Sequence, residues 1–468
     1  MAHLLISAAH KSSGKTTISV GLCAALKARG QTVQPFKKGP DYIDPMWLAK
    51  ACQRDCYNLD YYLMENDEIQ SLFSTKAKDA AISIIEGNKG LYDGLDLDGS
   101  NSNAALARLL NSPVILTIDA RGMTRGIAPL ILGYQAFDKK LNIAGVILNQ
   151  LGGSRHENKL RAVIEHYTDV PVIGAVHHNK DLEITERHLG LIPSNESDAA
   201  LSKTENIGKV ISENVDVDNL IKIASLAGDI EMPPRKPRKS VRTPVIRNVR
   251  IGIIRDEAFG FYYPDDLAAF NKTGAVLIEL NAVHDKNIPD VDGIFIGGGF
   301  PEMKMAELEK NKSFRIKLKN AIENGLPVYA ECGGLMYLAN NITAGGKTCE
   351  MVGVVPGDII MHEKPQGRGY VCLKETGNGL WPLTNSDSDE VNEIYAHEFH
   401  YSTLDNIDKD FEFKYAYDVL RGAGIDGKHD GIIYKNLLAC YAHQRNVRNN
   451  RWVNRFIDFV DQHARSEH

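Results

Sequence analysis

The sequence predicts two α/β domains, each organised around a sheet with parallel strands, and three observations predict this. Short apolar runs alternate with amphipathic segments up to about residue 195. The same alternation resumes at Val249 and continues to the end. Between them lies a stretch, Glu231 to Arg250, with Pro233, Pro234, Pro237 and Pro244 set among arginines and lysines. Alternating strands and helices imply a parallel sheet covered on both faces.

In the first half, Leu4–Ala8, Ala81–Ile85, Val114–Ile118, Ala144–Leu148 and Pro171–Ala175 read as short buried strands. Thr16–Arg29 and Ala104–Leu110 read as helices between them. The proline-rich stretch can propagate neither a helix nor a central strand, so it reads as an exposed linker. In the second half, Arg250–Ile254, Val276–Leu280, Gly293–Ile296 and Pro327–Ala330 read as strands. The expected domains are therefore 1–230 and 249–468, joined by a linker over 231–248. A length of 468 residues agrees with two or three domains.

Hydrophobic residues make up 43% of the chain and charged residues 24%, an ordinary soluble composition. Lys and Arg number 54 against 60 Asp and Glu, a net charge of −6, which argues against a nucleic-acid binder driven by bulk charge. The cysteines number seven, are scattered, and suggest no disulfide framework. The start lacks a secretory pattern, and no apolar run is long enough to cross a bilayer. The expectation is a reduced, cytoplasmic protein without membrane or nucleic-acid partners.

Ala9-His10-Lys11-Ser12-Ser13-Gly14-Lys15-Thr16-Thr17 follows the first strand and opens a helix, the setting a phosphate-binding loop requires. Backbone N–H groups from Ser13 to Thr17 would wrap phosphates, with the helix dipole adding to their pull. Lys15 would reach the β- and γ-phosphates, and the Thr16 hydroxyl would serve Mg²⁺. Ala9 stands where the first glycine of the usual motif belongs. Lys11 stands where deviant loops of this kind carry an extra lysine; a solvated charge is the alternative.

Pro35-Phe36-Lys37-Lys38-Gly39-Pro40-Asp41-Tyr42-Ile43-Asp44-Pro45 reads as a loop after the next strand. Asp41 is a candidate Mg²⁺ ligand, and Lys37 or Lys38 is available to neutralise a transferring phosphoryl group. A plain surface loop is the competing reading. Glu86, Asp119 and Asn149 close apolar runs, and Asp93 lies in Gly90-Leu91-Tyr92-Asp93-Gly94. Ligands collect at such strand ends in open parallel sheets, although helix capping also places acids there.

The second half carries its own constellation. Leu326–Ala330, Glu331, Cys332, Gly333, Gly334 reads as strand, sharp turn and helix, the form of a nucleophile elbow. The bend would present the Cys332 thiol beside a helix N-terminus, and Gly333 would offer an N–H to an oxyanion. His443 follows the strand-like Leu437–Tyr441 and is the best-placed base; His397 and His400 compete. Gly298 and Gly299, in Ile296-Gly297-Gly298-Gly299-Phe300, could complete the oxyanion hole, or simply make a tight connection.

The motifs PFKKGPDYIDP, EGNKGLYDG, GGGFPE, YAECGGLMYL and AHEFHYS, in that order, resemble the cobyrinic acid a,c-diamide synthase family over nearly the whole chain. The resemblance implies a dethiobiotin synthetase-like P-loop ATPase domain followed by a class I glutamine amidotransferase domain. It implies ATP, Mg²⁺ and glutamine, and amidation of the a and c acetates of a corrin or related tetrapyrrole. By position, Cys332 would be the glutaminase nucleophile and His443 its base. Lys15, Thr16, Asp41 and Glu86 would serve ATP and Mg²⁺, and Asn149 would read adenine. Lys37, Tyr42, Asp44, Asp93 and His400 would face the substrate. By analogy with such ATPase domains, a homodimer is the default assembly.

Two departures stand out. Many class I glutaminases carry a Glu two residues after the histidine, where this chain has Arg445. The resemblance then implies a Cys–His dyad, or an orienting group from elsewhere. Met46-Trp47 replaces an expected small residue and aromatic–His pair near the presumed substrate pocket, which keeps sirohaem or a sirohydrochlorin derivative open as substrate. A partitioning-type ATPase switch is the rival from another class; it leaves Cys332 unexplained.

Overall fold

The computed structural model describes residues 1–184, 186–187, 190–196, 199–230, 248–383, 393–407 and 413–466. The chain divides into two compact units, Met1–Arg235 and Lys236–His468. The expected linker, apart from residue 248, lies outside the described residues. Among the described residues, no helix is long and apolar enough to cross a membrane.

The first unit holds β1 (His3–Ala8), α1 (Lys15–Ala28), β2 (Val33–Lys38), α2 (Ile43–Cys52), β3 (Tyr57–Leu59), α3 (Asn66–Ala77) and β4 (Ile82–Glu86). These are followed by α4 (Asn103–Leu109), β5 (Val114–Asp119), α5 (Ile127–Phe137), β6 (Ile143–Leu151), α6 (Ser154–Tyr167) and β7 (Val172–His177). A two-residue ladder, β8 (Glu186–Arg187) and β9 (Gly190–Leu191), precedes α7 (Ala200–Asn214) and α8 (Val217–Ser225). The sheet order is β3-β2-β4-β1-β5-β6-β7, and every pairing is parallel. β1 lies between β4 and β5, so the loop after it opens at a crevice between crossovers, where such sheets take ligands. Leu4, Ile6, Ile82, Ile84, Ile115 and Ile147 point into one core with Ile18, Leu22 and Leu26 of α1.

The second unit begins with β10 (Arg250–Ile254), β11 (Phe259–Phe261), α9 (Pro264–Lys272), β12 (Val276–Leu280), β13 (Gly293–Ile296) and β14 (Gly298–Gly299). It continues through α10 (Met305–Lys310), α11 (Lys312–Glu323), β15 (Val328–Glu331), α12 (Gly333–Leu338), β16 (Ala339–Ala344), β17 (Lys347–Glu350) and β18 (Val355–Met361). It ends with β19 (Gly367–Glu375), β20 (Glu393–His400), β21 (Ser402–Asp405), β22 (Lys414–Arg421), β23 (His429–Tyr434), β24 (Leu437–Cys440) and α13 (Trp452–Ser466). The main sheet, β12-β10-β13-β15-β24-β23-β22-β19-β20, is parallel from β12 to β24 and antiparallel beyond.

Alternation along these strands feeds two cores. Ile294, Ile296, Val328, Ala330, Leu437 and Ala439 face one, with α12. Phe295, Tyr329, Leu438 and Cys440 face the other, with Trp452, Phe456 and Val460 of α13. The antiparallel wing and a separate four-stranded sheet, β17-β16-β18-β21, go beyond the strand–helix alternation expected from the sequence. Their strands are only half buried, so they lack the continuous apolar runs that marked the parallel strands.

Candidate active sites

In the first unit, the loop after β1 closes onto α1 through Gly14, which has a φ of 83°. A side chain there would collide with the Asn149 amide. That amide donates from Nδ2 to the Ser13 carbonyl at 3.0 Å, so Asn149 of β6 braces the loop from behind. The Ser13 hydroxyl donates to the His10 carbonyl at 2.8 Å. The first-turn N–H groups of α1 are left for a ligand. Lys15 is buried, and that burial, with the charge of Lys37, pulls its pKa down to about 8. Lys11 is exposed.

A charged cluster sits at the start of α1. Thr16 Oγ1 donates to Glu86 Oε1 at 2.9 Å and to Asp44 Oδ2 at 3.2 Å. The Lys37 ammonium joins the same oxygens, pairing with Asp44 and with Glu86 at 2.7 Å, and lies 3.7 Å from Asp41. Burial opposes the charge on Lys37, but Asp44, Glu86 and Asp41 outweigh it and hold its pKa well above the usual lysine range. Burial raises Glu86 in turn, against the pull of Lys37. Glu86 Oε2 is buried without a hydrogen-bond partner.

The sequence placed Pro35–Pro45 in one loop. Its first four residues instead belong to β2, and Ile43–Pro45 open α2. Only Gly39–Tyr42 turns, held by Asn58 Nδ2 donating to the Gly39 and Asp41 carbonyls. Asp41 Oδ1 accepts from the N–H groups of Ile43 and Asp44, capping α2. This folding brings Asp44, expected at the substrate, into the cluster with Thr16 and Glu86. Tyr42 is buried. Trp47, a departure noted above, is a core residue whose indole N–H donates to the Ile192 carbonyl at 2.8 Å. Asp93 Oδ2 accepts from Gly90 N within its own turn, and Asp119 binds the Arg121 guanidinium and N–H.

Among the described residues, no group of three or more His, Cys, Asp and Glu side chains forms a metal cage. The oxygen donors of Thr16, Asp44 and Glu86 do suit Mg²⁺, which takes one or two carboxylates and keeps waters and phosphate oxygens for the rest.

In the second unit, β15 ends at Glu331 and Cys332 turns the chain into α12 with φ 47° and ψ −101°. Such a conformation is costly for a residue with a Cβ, and it is the strain of a nucleophile elbow. The bend is anchored where Cys332 N donates to the Cys440 carbonyl at 2.7 Å. Burial pushes the Cys332 thiol well up, and the charge of Glu302 adds to this. The resting side chain is therefore a thiol, which would need a base to act as a nucleophile.

His443 follows β24, the parallel neighbour of β15. Its Nδ1 lies 3.4 Å from Glu331 Oε2, and both side chains are buried. A side chain on Gly298 would strike the imidazole. Gly333 packs against the Gly299 backbone, where an added Cβ would lie 2.9 Å from Gly299 N. Gly298 and Gly299 form the strand β14, paired with β11, rather than a simple turn.

The competing histidines are built in differently. His397 stacks on His443 at 4.9 Å, exchanges backbone hydrogen bonds with it, and is held neutral by burial and by the charges of His443 and Arg445. His400 stacks on Tyr441 at 3.8 Å, and its Nδ1 lies 2.9 Å from the Ser402 carbonyl. Arg445 is fully buried and binds Asp265 through Nη2 at 2.8 Å and Nε at 3.1 Å.

Two family profiles divide the chain between these sites. Residues 5–192 match the CobQ/CobB/MinD/ParA nucleotide binding domain, and residues 250–450 match the CobB/CobQ-like glutamine amidotransferase domain. The protein is thus an ATP-using ligase with glutamine as amide donor. Proteins named cobyrinate a,c-diamide synthase resemble it throughout. That of Magnetococcus marinus is 44% identical over 94% of this chain and 93% of its own. That of Methanosarcina barkeri is 41% identical over 97% and 95%, and that of Dehalococcoides mccartyi 40% over 94% and 94%. The chain belongs to the cobyrinate a,c-diamide synthase family.

Proposed function

We propose that the protein converts the a and c acetate carboxylates of cobyrinate to amides, using ATP to activate each acid and glutamine to supply nitrogen. The observation that carries this reading is the pairing, in one chain, of a phosphate loop tied to buried carboxylates with a cysteine held at a strained strand-to-helix corner. Neither chemistry needs the other unless ammonia is to meet an activated acid.

Cys332 Sγ attacks the side-chain amide of glutamine while His443 takes the thiol proton and returns it to the departing ammonia. N–H groups of Gly333, Gly298 and Gly299 receive the oxyanion. In the nucleotide site, Lys15 and the loop N–H groups from Ser13 to Thr17 hold the phosphates. Thr16, Glu86 and Asp44 would hold Mg²⁺, with Asp41 alongside, and the ion would offset phosphate charge. The γ-phosphoryl passes to a substrate acetate, giving an acyl phosphate. Ammonia displaces phosphate and leaves the amide. Lys37 and Lys38 supply positive charge beside the acid, and Asp93 and His400 remain candidates for substrate contact. Seven free cysteines suit a reducing compartment, so we assign the protein to the cytoplasm.

The shared name of the relatives favours a corrin acid over sirohaem or sirohydrochlorin. Incubation with ATP, Mg²⁺ and glutamine, with cobyrinic acid, sirohydrochlorin and sirohaem offered in parallel, tests this. Mass spectrometry should find successive amidations of cobyrinic acid alone. Amidation of sirohaem in preference would overturn the substrate assignment.

A further inference from the structure

Arg445 occupies the position two residues after His443, and its guanidinium is committed to Asp265 while lying over the Tyr263 ring. It cannot accept from an imidazole N–H. We infer that Glu331, the residue before the nucleophile, orients His443 and stabilises its imidazolium. This rests on the reading of Cys332 and His443 as the glutaminase pair. The orienting carboxylate then comes from the strand that carries the nucleophile, not from the segment that carries the histidine.

Four features support the assignment. Glu331 Oε2 lies 3.4 Å from His443 Nδ1, with the two side chains 2% and 3% exposed. The other oxygen, Oε1, is fixed by the Tyr329 hydroxyl at 2.6 Å and by the Gln444 N–H at 2.9 Å. Tyr329 is itself fully buried, stacked on Phe295 at 5.5 Å and packed on Trp452 at 4.8 Å. The segment after His443 is pinned in turn, through Arg445 on Asp265 and the Asn446 N–H on Asp266 at 2.8 Å. A carboxylate held by one oxygen presents the other at a fixed place.

A carboxylate beside Nδ1 favours the tautomer with its proton on that nitrogen, leaving the Nε2 lone pair for the thiol. As Sγ bonds to the glutamine amide carbon, Nε2 takes the thiol proton. The carbon–nitrogen bond then breaks, and the proton leaves with ammonia. Water hydrolyses the resulting thioester to glutamate. Glu331 forms no covalent bond and acts through His443, so it is a positioning residue.

The test uses the full chain with substitutions Glu331→Gln, Glu331→Asp and, in parallel, Cys332→Ser. In Glu331→Gln the amide can donate to Nδ1 and reverse the tautomer. Its glutamine-dependent kcat should fall on the order of 10²-fold or more, with KM for glutamine within about threefold. Glu331→Asp keeps the charge at shorter reach and should recover part of the loss; it remains informative if Glu331→Gln fails to fold. Ammonia-dependent amidation, which bypasses glutamine hydrolysis, reports folding. An unchanged glutamine-dependent kcat, or equal loss with glutamine and ammonia in both variants, would overturn the role of Glu331. Undiminished glutamine use by Cys332→Ser would instead overturn the underlying reading.

Discussion

Thr16 Oγ1 donates to Glu86 Oε1 at 2.9 Å, tying the first turn of α1 to the last residue of β4. Glu86 ends β4, the loop that leads to Thr16 leaves the carboxyl end of its parallel neighbour β1, and Lys37 reaches the same carboxylate from β2. Glu86→Gln would keep the shape and remove the charge. We expect ATP-dependent amidation to fall by about 10²-fold or more, with ammonia or glutamine alike, while glutamine hydrolysis by the second unit persists. Steady-state rates with each nitrogen donor check this.

Lys37 offers a second prediction. It is buried and surrounded by Asp44, Glu86 and Asp41. Lys37→Met would leave these carboxylates without their cation. The loss should destabilise the first unit by about 3 kcal/mol. Mg²⁺ should recover more of that stability in the variant than in the natural protein. Thermal unfolding with and without Mg²⁺ measures both effects.

The nucleotide site should also depend on pH. Burial lowers Lys15 to about 8, below the ordinary lysine value, so it loses its proton as pH rises through that point. The phosphate needs the ammonium, so binding above pH 8 must take up a proton. Nucleotide affinity should therefore fall as pH rises above about 7.5, approaching tenfold per pH unit. Lys38 is lowered to about 8 as well, so Lys15→Arg, which stays charged, separates the two. Calorimetry in buffers of different ionisation enthalpy should show proton uptake at pH 8.5 and its loss in Lys15→Arg.

Gly298→Ala should act on the glutaminase through sterics alone. The added Cβ would strike the His443 imidazole, and β14 is locked to β11, so the backbone has little room to yield. Glutamine hydrolysis should fall by about 10²-fold, since small displacements of reacting groups carry costs of that size. Comparison with the ammonia-supported rate isolates the effect.

Much of this was legible in the sequence because strand ends and glycine turns punctuate it. Lys15, Thr16, Glu86 and Cys332 could be placed from local pattern alone. The PFKKGPDYIDP stretch could not, since its prolines and lysines suggested a loop. Pro35 sits in β2, and both lysines are buried: Lys37 pairs with Asp41 and Asp44 of the same stretch and with Glu86 of β4, while Lys38 donates to the Asn88 side chain. The antiparallel wing escaped notice because half-buried strands lack a continuous apolar run. Glu331 was visible only as an acid before a cysteine. Period-two alternation puts it on the face of Tyr329, but its partner, His443, lies more than a hundred residues away in sequence and is reached only through the pairing of β15 with β24.

The central claim is that nitrogen leaves glutamine at Cys332 and ends in an amide made from an ATP-activated acid. Glutamine labelled with ¹⁵N in its side-chain amide, given with ATP, Mg²⁺ and cobyrinic acid, tests it directly. The natural protein should deliver label into the product, and Cys332→Ser should deliver none while still amidating with free ammonium. Equal transfer of label by the serine variant would contradict the account.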